Sequence, residues 1–415
     1  MPALTLKVGH YANHHGGLAV TRTLGRAGVP VYGVHEDRLA PAGLSRYATG
    51  RFVWPTAGED AHQRQLLDGI ASVAERIGRP ALLVPTDDHA AIFVGDHADV
   101  LRRWFLFPDL SPAVVRCVTD KAALHQRCVA LGVPAPSATV VTTDADLDAF
   151  ATHGVFPVVA KRSRPWLLRT GRRARSTRIV PCADELRGLD ISTPLLLQEH
   201  IPSSCGEDWL FHGYCDQRSE CVVAFTGRKV RSFPPGAGET AYGRSEANLA
   251  LETEARALCQ RLGFRGVMSL DYRYDRRDGQ YKLLDFNPRT GAIFRLFQTN
   301  AGVDVVHALH LDMTGREVPA GHPILGRVVV VEGYDARACR AERRAGALTA
   351  GGWISSWRSV QETAWWASDD VAPALVALGR VGADAARRLA RRPSPGDAWR
   401  PAPPRFLPGR KGGRW

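Results

Sequence analysis

Residues 266–275 read GVMSLDYRYD, and residues 280–291 read QYKLLDFNPRTG. Both stretches alternate between two sets of side chains with a period of two, which is typical of β-strands. The segment from Asp275 to Gly279 predicts a turn, in which the glycine supplies a positive φ. Strict alternation puts Tyr281, Leu283 and Asp285 on one face of the return strand and Lys282, Leu284 and Phe286 on the other.

Oxygen-bearing side chains collect at one end of this predicted hairpin. Asp271, Asp285 and Asn287 offer two carboxylates and one amide oxygen. Magnesium prefers oxygen ligands and usually takes one or two carboxylates. Arg289 follows two residues later and could stabilise charge on a transferring phosphoryl group. A hairpin with polar ends and no function remains an alternative, because the motif Asp-x-Asn-Pro-Arg is short.

This stretch resembles the metal-binding hairpin of the ATP-grasp superfamily. In that family a first acidic residue is followed, about a strand and a turn later, by Glu-x-Asn and often by a basic residue. Asp285 stands where glutamate is usual and reaches one methylene less. The resemblance implies that Asp271, Asp285 and Asn287 bind Mg²⁺, with Mn²⁺ as an alternative ion.

The motifs before the hairpin follow the order of an ATP-grasp module. Lys121 opens a predicted helix at 120–131, and Lys161 closes a predicted strand at 155–161. The resemblance implies that both lysines bind the phosphates of ATP. It also implies an adenine-binding hinge at the predicted strand 195–201, and an acid that holds the ribose. The residues in these positions are Gln198, Glu199 and Ile201 for the hinge and Glu207 for the ribose.

The chain opens with a βαβ pattern, in which strands at 4–9 and 30–34 bracket a helix at 17–27. The fold class we expect is α/β (α+β): an ATP-grasp fold with an N-terminal Rossmann-like pre-ATP-grasp domain and the nucleotide between two α+β subdomains. The expected divisions are residues 1–112 for the N-terminal domain, 113–316 for the ATP-grasp domain, 317–392 for a C-terminal α/β extension and 393–415 for a basic tail rich in proline and glycine.

Within the superfamily, the chain resembles D-aspartate-ligase-like ATP-dependent carboxylate–amine ligases. The segments 85–88, 225–229 and 233–235 also fit that group. The resemblance implies that ATP phosphorylates a small carboxylate and that an amine attacks the acyl phosphate. Lys229 and Arg289 are then expected to stabilise the phosphate and the intermediate. An enzyme with a thiol or hydroxyl acceptor, or an ATP-binding protein without catalysis, remains an alternative.

Two segments depart from a simple ATP-grasp pattern. Residues 162–178 contain seven arginines and one glycine, where the family normally has a small, glycine-rich loop over the phosphates. These arginines could bind anions or an acidic substrate, or form a solvated loop. Residues 234–248 are glycine-rich and are interpreted as a mobile lid, with a structural linker as the alternative.

The formal net charge of +12 is concentrated at the end of the chain, because residues 387–415 hold nine Lys or Arg and one Asp. We therefore expect a disordered tail that contacts anionic surfaces, and no specific nucleic-acid partner. No apolar run approaches the ~20 residues of a transmembrane helix. A cytoplasmic enzyme, which could form a homodimer, is expected, with its eight scattered cysteines as reduced thiols.

Overall fold

The computed structural model describes residues 1–9, 14–53, 62–167 and 176–390. The predicted tail at 393–415 and residues 168–175 of the arginine-rich segment lie outside these ranges. Within them, each helix is either too short or too polar to cross a membrane.

The first unit is a five-stranded parallel sheet in the order β3-β2-β1-β4-β5, with helices on its faces. Its strands are short and apolar. Leu4 and Leu83 pack on one face against α2 and α3, and Ala3 and Leu82 pack on the other against α1, so both faces are covered, as in parallel sheets generally. The βαβ opening is confirmed. The elements are β1 (Ala3–Leu6), α1 (His15–Arg26), β2 (Val31–His35), β3 (Ala48–Val53), α2 (His62–Ile77), β4 (Ala81–Pro85), α3 (Asp88–Asp96), α4 (Ala98–Leu101), β5 (Phe105–Leu106) and α5 (Pro112–Thr119).

The second unit is a four-stranded antiparallel sheet in the order β6-β9-β7-β8. Leu195 and Leu197 pack with the helices on one face. By alternation, Leu196 and Gln198 therefore point from the opposite face. The elements are α6 (Lys121–Leu131), β6 (Ala138–Val141), α7 (Asp144–His153), β7 (Val158–Arg162), β8 (Thr177–Val180), α8 (Ala183–Arg187) and β9 (Leu195–Glu199).

The third unit is a seven-stranded sheet in the order β14-β13-β10-β11-β12-β15-β16. One face packs on α9, and the other packs on α10 and α1 of the first unit. The elements are β10 (Gly206–Cys215), β11 (Cys221–Phe233), β12 (Glu239–Ser245), α9 (Leu249–Leu262), β13 (Gly266–Asp275), β14 (Gln280–Asn287), α10 (Val305–Met313), β15 (Val328–Val330), α11 (Glu332–Arg344), α12 (Ala350–Ser356), β16 (Glu362–Thr363) and α13 (Ala372–Ala390).

The predicted hairpin is present as β13 and β14, but it contains a bulge. Asp271 lies opposite Asp285, and the next pair in register uses Leu283, so that Leu284 is left out of the ladder. Leu283 and Phe286 consequently pack into the same core cluster. Strict alternation along this strand was therefore wrong, because one extra residue in a strand reverses the faces beyond it.

About half of the predicted glycine-rich lid is a strand of the sheet. β12 pairs with β11 on one side and with β15 on the other. Its backbone groups are held in ladders on both edges, which fixes this part of the segment in place. The prediction of a mobile lid over 234–248 was thus wrong for residues 239–245.

The C-terminal part of the chain returns to the first unit. Arg22, which is 1% exposed, donates from Nε to Asp370 Oδ2 across 2.9 Å. Asp370 also accepts from Ser45 Oγ at 2.7 Å and from the Arg46 amide at 2.9 Å. Both charged side chains of this buried ion pair are hydrogen-bonded, so the pair holds the C-terminal part of the chain in one position against the first unit.

Candidate active site

Three lysines from three separate elements converge on two aspartates. Lys121 Nζ lies 2.8 Å from Asp285 Oδ1, and Lys161 Nζ lies 3.8 Å from the same oxygen. Lys229 Nζ donates to Asp271 Oδ1 at 2.6 Å. The lysine side chains are 10%, 5% and 13% exposed, respectively, so the charges are largely withdrawn from water. The structure thus brings together the predicted phosphate lysines and the predicted metal carboxylates.

Lys121 owes its position to the start of α6. Asp120 caps this helix by accepting from the amides of Ala122 and Ala123. The Lys121 amide donates to the Ser163 carbonyl at 2.9 Å, and Ser163 Oγ donates to Asp120. These bonds hold the first residue of the helix against the end of β7, where Lys161 lies.

Lys161 reaches the third unit because of the bulge in β14. In β7, Val158 and Ala160 pack in the core of the second unit, so alternation directs Lys161 to the other face. Its Nζ donates to the carbonyl oxygen of Leu284, the residue outside the ladder, at 2.9 Å. A carbonyl released from strand pairing therefore anchors this lysine.

Opposing effects of burial and charge set the pKa values of these groups. Burial is the strongest influence on Lys121 and lowers its pKa, but the charges of Asp285 and Asp88 outweigh it and the pKa is raised. For Lys161, burial prevails over Asp285, and Lys121 adds repulsion, so the pKa is lowered. Burial raises the pKa of Asp285, yet Lys121 and Lys161 bring it down to about 2. An added anion would therefore stabilise the charged form of Lys161, whose pKa is lowered.

The predicted metal ligands lie side by side at the end of the hairpin. Asp271 and Asp285 are direct partners in register, and Asn287 opposes Ser269. Asn287 Nδ2 donates to the Ser269 carbonyl at 3.1 Å, which turns the amide oxygen outward to accept from Arg289 Nη2 at 3.1 Å. Two carboxylates and one amide oxygen are hard donors of the kind Mg²⁺ takes, so these residues fit the ion.

Arg289 connects the hairpin to the edge of the parallel sheet. Its Nε donates to Asp88 Oδ1 at 3.1 Å. The neighbouring Asp87 instead caps α3, accepting from the Ala90 amide at 2.7 Å and from the Gly9 amide at 2.6 Å. Capping of α3 and contact with Arg289 are therefore divided between the adjacent residues Asp87 and Asp88.

The predicted adenine hinge lies beside the turn of the hairpin. Gln198 is 3% exposed and projects from the same face of the second sheet as Leu196, the register partner of Lys161. Glu199 Oε1 accepts from Arg277 Nη2 at 2.5 Å. β9 ends at Glu199, so Ile201, which is buried, lies just after the strand rather than in it.

The structure does not bring Glu207 to this cluster, and its prediction as the ribose acid is corrected. Glu207 pairs in register with Tyr274 on the face of the sheet that packs on α9, where Arg228 and Arg276 bind its carboxylate. The next residue, Asp208, projects from the opposite face. It lies 2.5 Å from Arg273 Nη1 and acts electrostatically on Lys229. Glu207 and Asp208 are adjacent in the strand, so their side chains point to opposite faces, and only Asp208 lies on the face of the site.

Sequence reasoning also missed His212, which lies two strands away from Asn287 in the same row of the sheet. His212 is 1% exposed, and its Nε2 lies 3.2 Å from Ser269 Oγ. Burial lowers the pKa of His212 to about 3, so the ring is neutral. A Cβ atom on Gly291 would lie 2.2 Å from the His212 Cε1 atom, so only glycine permits this approach. A histidine alternating with apolar residues in a strand is the signal that could have revealed it.

Part of the chain is similar in sequence to an enzyme of known activity. No protein-family model matches the chain. D-aspartate ligase of Enterococcus faecium (strain Aus0004) is 20% identical over 224 residues, which are 51% of this chain and 53% of that enzyme. The chain thus spans about half the length of the curated relative it matches.

Solved structures share a larger part of the fold. The biotin carboxylase domain of 2-oxoglutarate carboxylase from Hydrogenobacter thermophilus, in complex with MgADP, ADP and bicarbonate, has a TM-score of 0.56 at 14% identity, over 77% of this chain and 71% of that chain. L-amino acid ligase from Bacillus licheniformis has a TM-score of 0.55 at 16% identity, over 74% and 72%. These relatives are ATP-grasp enzymes, and the chain has the ATP-grasp fold.

Proposed function

We propose that the protein is an ATP-dependent ligase that activates a carboxylate as an acyl phosphate and couples it to an amine. The convergence of Lys121, Lys161 and Lys229 on the paired Asp271 and Asp285 carries this proposal. Buried cations beside hard-oxygen ligands suit a reaction whose catalysis consists of positioning and charge stabilisation, as in phosphoryl transfer.

The nucleotide would lie between the second and third sheets. Lys121 and Lys161 would bind its phosphates, and the backbone and side chains at Gln198, Glu199 and Ile201 would bind adenine. The ribose hydroxyls would go to Asp208, which lies on the same face of the sheet as Lys229. Strong charge-assisted hydrogen bonds from buried donors favour a polyanionic ligand over water.

Asp271, Asp285 and Asn287 would hold Mg²⁺, with Mn²⁺ as an alternative, and the ion would supply positive charge against the phosphate oxygens. Each of the two aspartates is now paired with a lysine. When the lysines bind phosphate oxygens instead, the carboxylates become available as ligands. The residues of this chain therefore exchange one set of ion pairs for another.

In the proposed reaction a carboxylate oxygen attacks the γ-phosphorus of ATP and ADP leaves. The amine nitrogen then attacks the acyl carbon, phosphate departs, and the nitrogen loses a proton to give the amide. Arg289 and Lys229 would stabilise the charge on the phosphoryl group and on the tetrahedral intermediate. Asp88 would hold the Arg289 guanidinium in place through their 3.1 Å contact.

The names of two relatives, D-aspartate ligase and L-amino acid ligase, favour an amino acid as one substrate of this chain. A cytoplasmic location and a homodimer also belong to the proposal. The biotin carboxylase relative is a dimer, and size-exclusion chromatography with light scattering would measure the state of this chain.

The test is release of ADP over pairs of amino acids, other small carboxylates and amines, with products identified by mass spectrometry. Amide formation that requires both partners and Mg²⁺ is expected. If ADP is released only when the acceptor is a thiol or a hydroxyl, that acceptor would replace the amine in the proposed reaction. Nucleotide binding without ADP release under every mixture would contradict ligase activity.

A further inference from the structure

Three buried thiols meet at the far end of the third sheet. The Sγ atoms of Cys215, Cys221 and Cys259 all lie within 4.8 Å of one another, and those of Cys215 and Cys221 are 2.8 Å apart. Cys215 follows Leu210, the register partner of Asp271, by five residues along β10. At ~3.4 Å per residue this is roughly 17 Å along the strand from the level of Asp271. The thiols therefore belong to a separate site.

A second bulge brings two of the thiols face to face. Tyr214 pairs with Val223, whereas Cys215 pairs with Cys221, so Val222 is left out of the ladder and is 41% exposed. A regular register would have put Val222 opposite Cys215. The extra residue re-aims the strand end and turns both thiols toward α9, which carries Cys259.

The backbone at this pair suits a disulfide. Directly opposed residues of antiparallel strands have Cα atoms about 4.5 or 5.5 Å apart, depending on the hydrogen-bonding position. A disulfide needs a Cα separation of about 4.4–6.8 Å. Because the two sulfur atoms are already in contact, closing the bond requires a side-chain movement and no rearrangement of the strands.

Charge decides between a disulfide and a metal ion at this cluster. Three thiolates around a divalent or monovalent ion would leave net negative charge in an apolar core that contains Phe211 and Phe264. Among the described residues, Arg256 is the cation that bears on the pair, and it donates to the Cys221 carbonyl rather than to sulfur. Structural zinc sites take four ligands, and a fourth is absent from the cluster in the described residues. A disulfide with one remaining thiol is neutral, which avoids burying an unpaired charge.

We propose that Cys215 and Cys221 form a reversible thiol–disulfide pair, with Cys259 as the third thiol that hydrogen-bonds to it. Cys221 is the entry point, because it is 9% exposed whereas Cys215 and Cys259 are fully buried. Hydrogen bonds from Cys215 and Cys259 lower the pKa of Cys221 and favour its thiolate, the reactive form.

The oxidant is a peroxide. The Cys221 thiolate attacks one oxygen of hydrogen peroxide, which gives a sulfenic acid and releases hydroxide. The Cys215 thiol then attacks Cys221 Sγ, the S–O bond breaks, and the Cys215 proton and the departing hydroxyl leave as water. Two electrons pass from the two sulfurs to the peroxide. A dithiol reductant reverses the reaction by exchange.

The experiment follows the intact full-length protein after reduction, after treatment with hydrogen peroxide, and after later addition of dithiothreitol. Peroxide is expected to lower the mass by 2 Da, with a peptide map that links Cys215 to Cys221 and leaves Cys259 alkylatable after unfolding. Dithiothreitol should restore the mass. Because the bond closes the turn at 216–220, the melting temperature of the oxidised form should rise.

Cys221→Ser tests the assignment, and Cys182→Ser is its control, because Cys182 is an exposed thiol outside the cluster. The mass loss should disappear in the first variant and persist in the second. A link that excludes Cys221, or no mass loss in the wild type at peroxide levels that oxidise Cys182, would overturn the proposal. So would a soft metal ion that co-purifies at one equivalent and protects all three thiols from alkylation.

Discussion

Arg289 Nε donates to Asp88 Oδ1 across 3.1 Å, a contact between residues 201 positions apart. Asp88 begins α3, directly beyond the carboxyl end of β4, and Arg289 follows the last strand of the hairpin. In α/β sheets, ligands bind beyond the carboxyl ends of the strands. This contact therefore joins the ligand-binding end of the parallel sheet to the residues predicted to bind phosphate and metal.

Replacing Arg289 by lysine should lower kcat about 100-fold or more and leave ADP affinity unchanged. Lysine keeps the charge but loses the planar fork that can bind Asp88 and a phosphoryl oxygen together, and loss of one such donor costs about 10²–10³ in rate. Steady-state kinetics and calorimetric ADP binding give the two values. Arg276→Lys, at the exposed turn, is the matched control. Equal losses in both variants would assign Arg289 a structural role.

Lys161→Ala should weaken nucleotide binding about tenfold or more, since it removes a charge-assisted contact worth roughly 1.5–3 kcal/mol. Isothermal titration with ADP and Mg²⁺ measures the change. Arg178→Ala removes a half-exposed cation on the next strand, which pairs with Glu185, and should leave the affinity at the wild-type level. An unchanged dissociation constant for Lys161→Ala would remove this lysine from the phosphate site.

Asp285→Ala should abolish Mg²⁺-dependent turnover, with a loss of at least about 100-fold, because a carboxylate ligand is lost. Circular dichroism should remain that of the folded wild type. Asp278→Ala, in the exposed turn of the same hairpin, is the control and should retain activity. Turnover near the wild-type level in Asp285→Ala at saturating Mg²⁺ would show that the metal ligands are elsewhere.

His212 should make the protein less stable in acid. Burial lowers its pKa from 6.5 to about 3, so the unfolded chain binds a proton between these values and the folded chain does not. Its contribution to stability is thus complete above pH 6.5 and falls by about 1.4 kcal/mol per pH unit as the pH drops toward 3. Urea unfolding of wild type and His212→Gln from pH 7 to 5 should show this difference in slope. Parallel pH profiles would contradict a neutral, buried His212.

Asp370→Ala should lower the free energy of unfolding by about 3–5 kcal/mol, because it leaves Arg22 buried without its partner. Asp369 is the natural control. It pairs with Arg26 at 2.7 Å, but its side chain is 40% exposed, and such pairs contribute about 0–1 kcal/mol. Chemical denaturation of the two neighbouring variants measures the difference. If both variants lose similar amounts of unfolding free energy, burial does not explain the stability contributed by the Arg22–Asp370 pair.

The hairpin could be predicted because its information is local. Alternation, a turn with glycine and the spacing from Asp271 to Asp285 lie within one short stretch, and the fold brought them together in register. The lysines could be placed only by their order along the chain. Their convergence depends on three separate elements meeting, which no short sequence pattern encodes.

Two of the errors, on the faces of β14 and on the mobile lid, have a common physical origin in the pairing of strands. The bulge at Leu284 moves the side chains beyond it to the other face of the sheet. The choice of Glu207 over Asp208 is an error of another kind, because that strand is regular and alternation alone separates their faces. Glycines at 236, 238 and 243 indicated a mobile segment, but β12 is held by partners that lie far away in sequence. Register is decided by the neighbouring strands, which a single stretch of residues does not contain.

The pair Arg22–Asp370 also constrains the order in which the protein can form on the ribosome. Its two residues are 348 positions apart. At synthesis rates of about 5–20 residues per second, Asp370 is added to the chain roughly 20–70 s after Arg22. During that time the first unit can assemble its parallel sheet, but it cannot bury this guanidinium with a partner. The N-terminal unit is therefore made first and completed among the last.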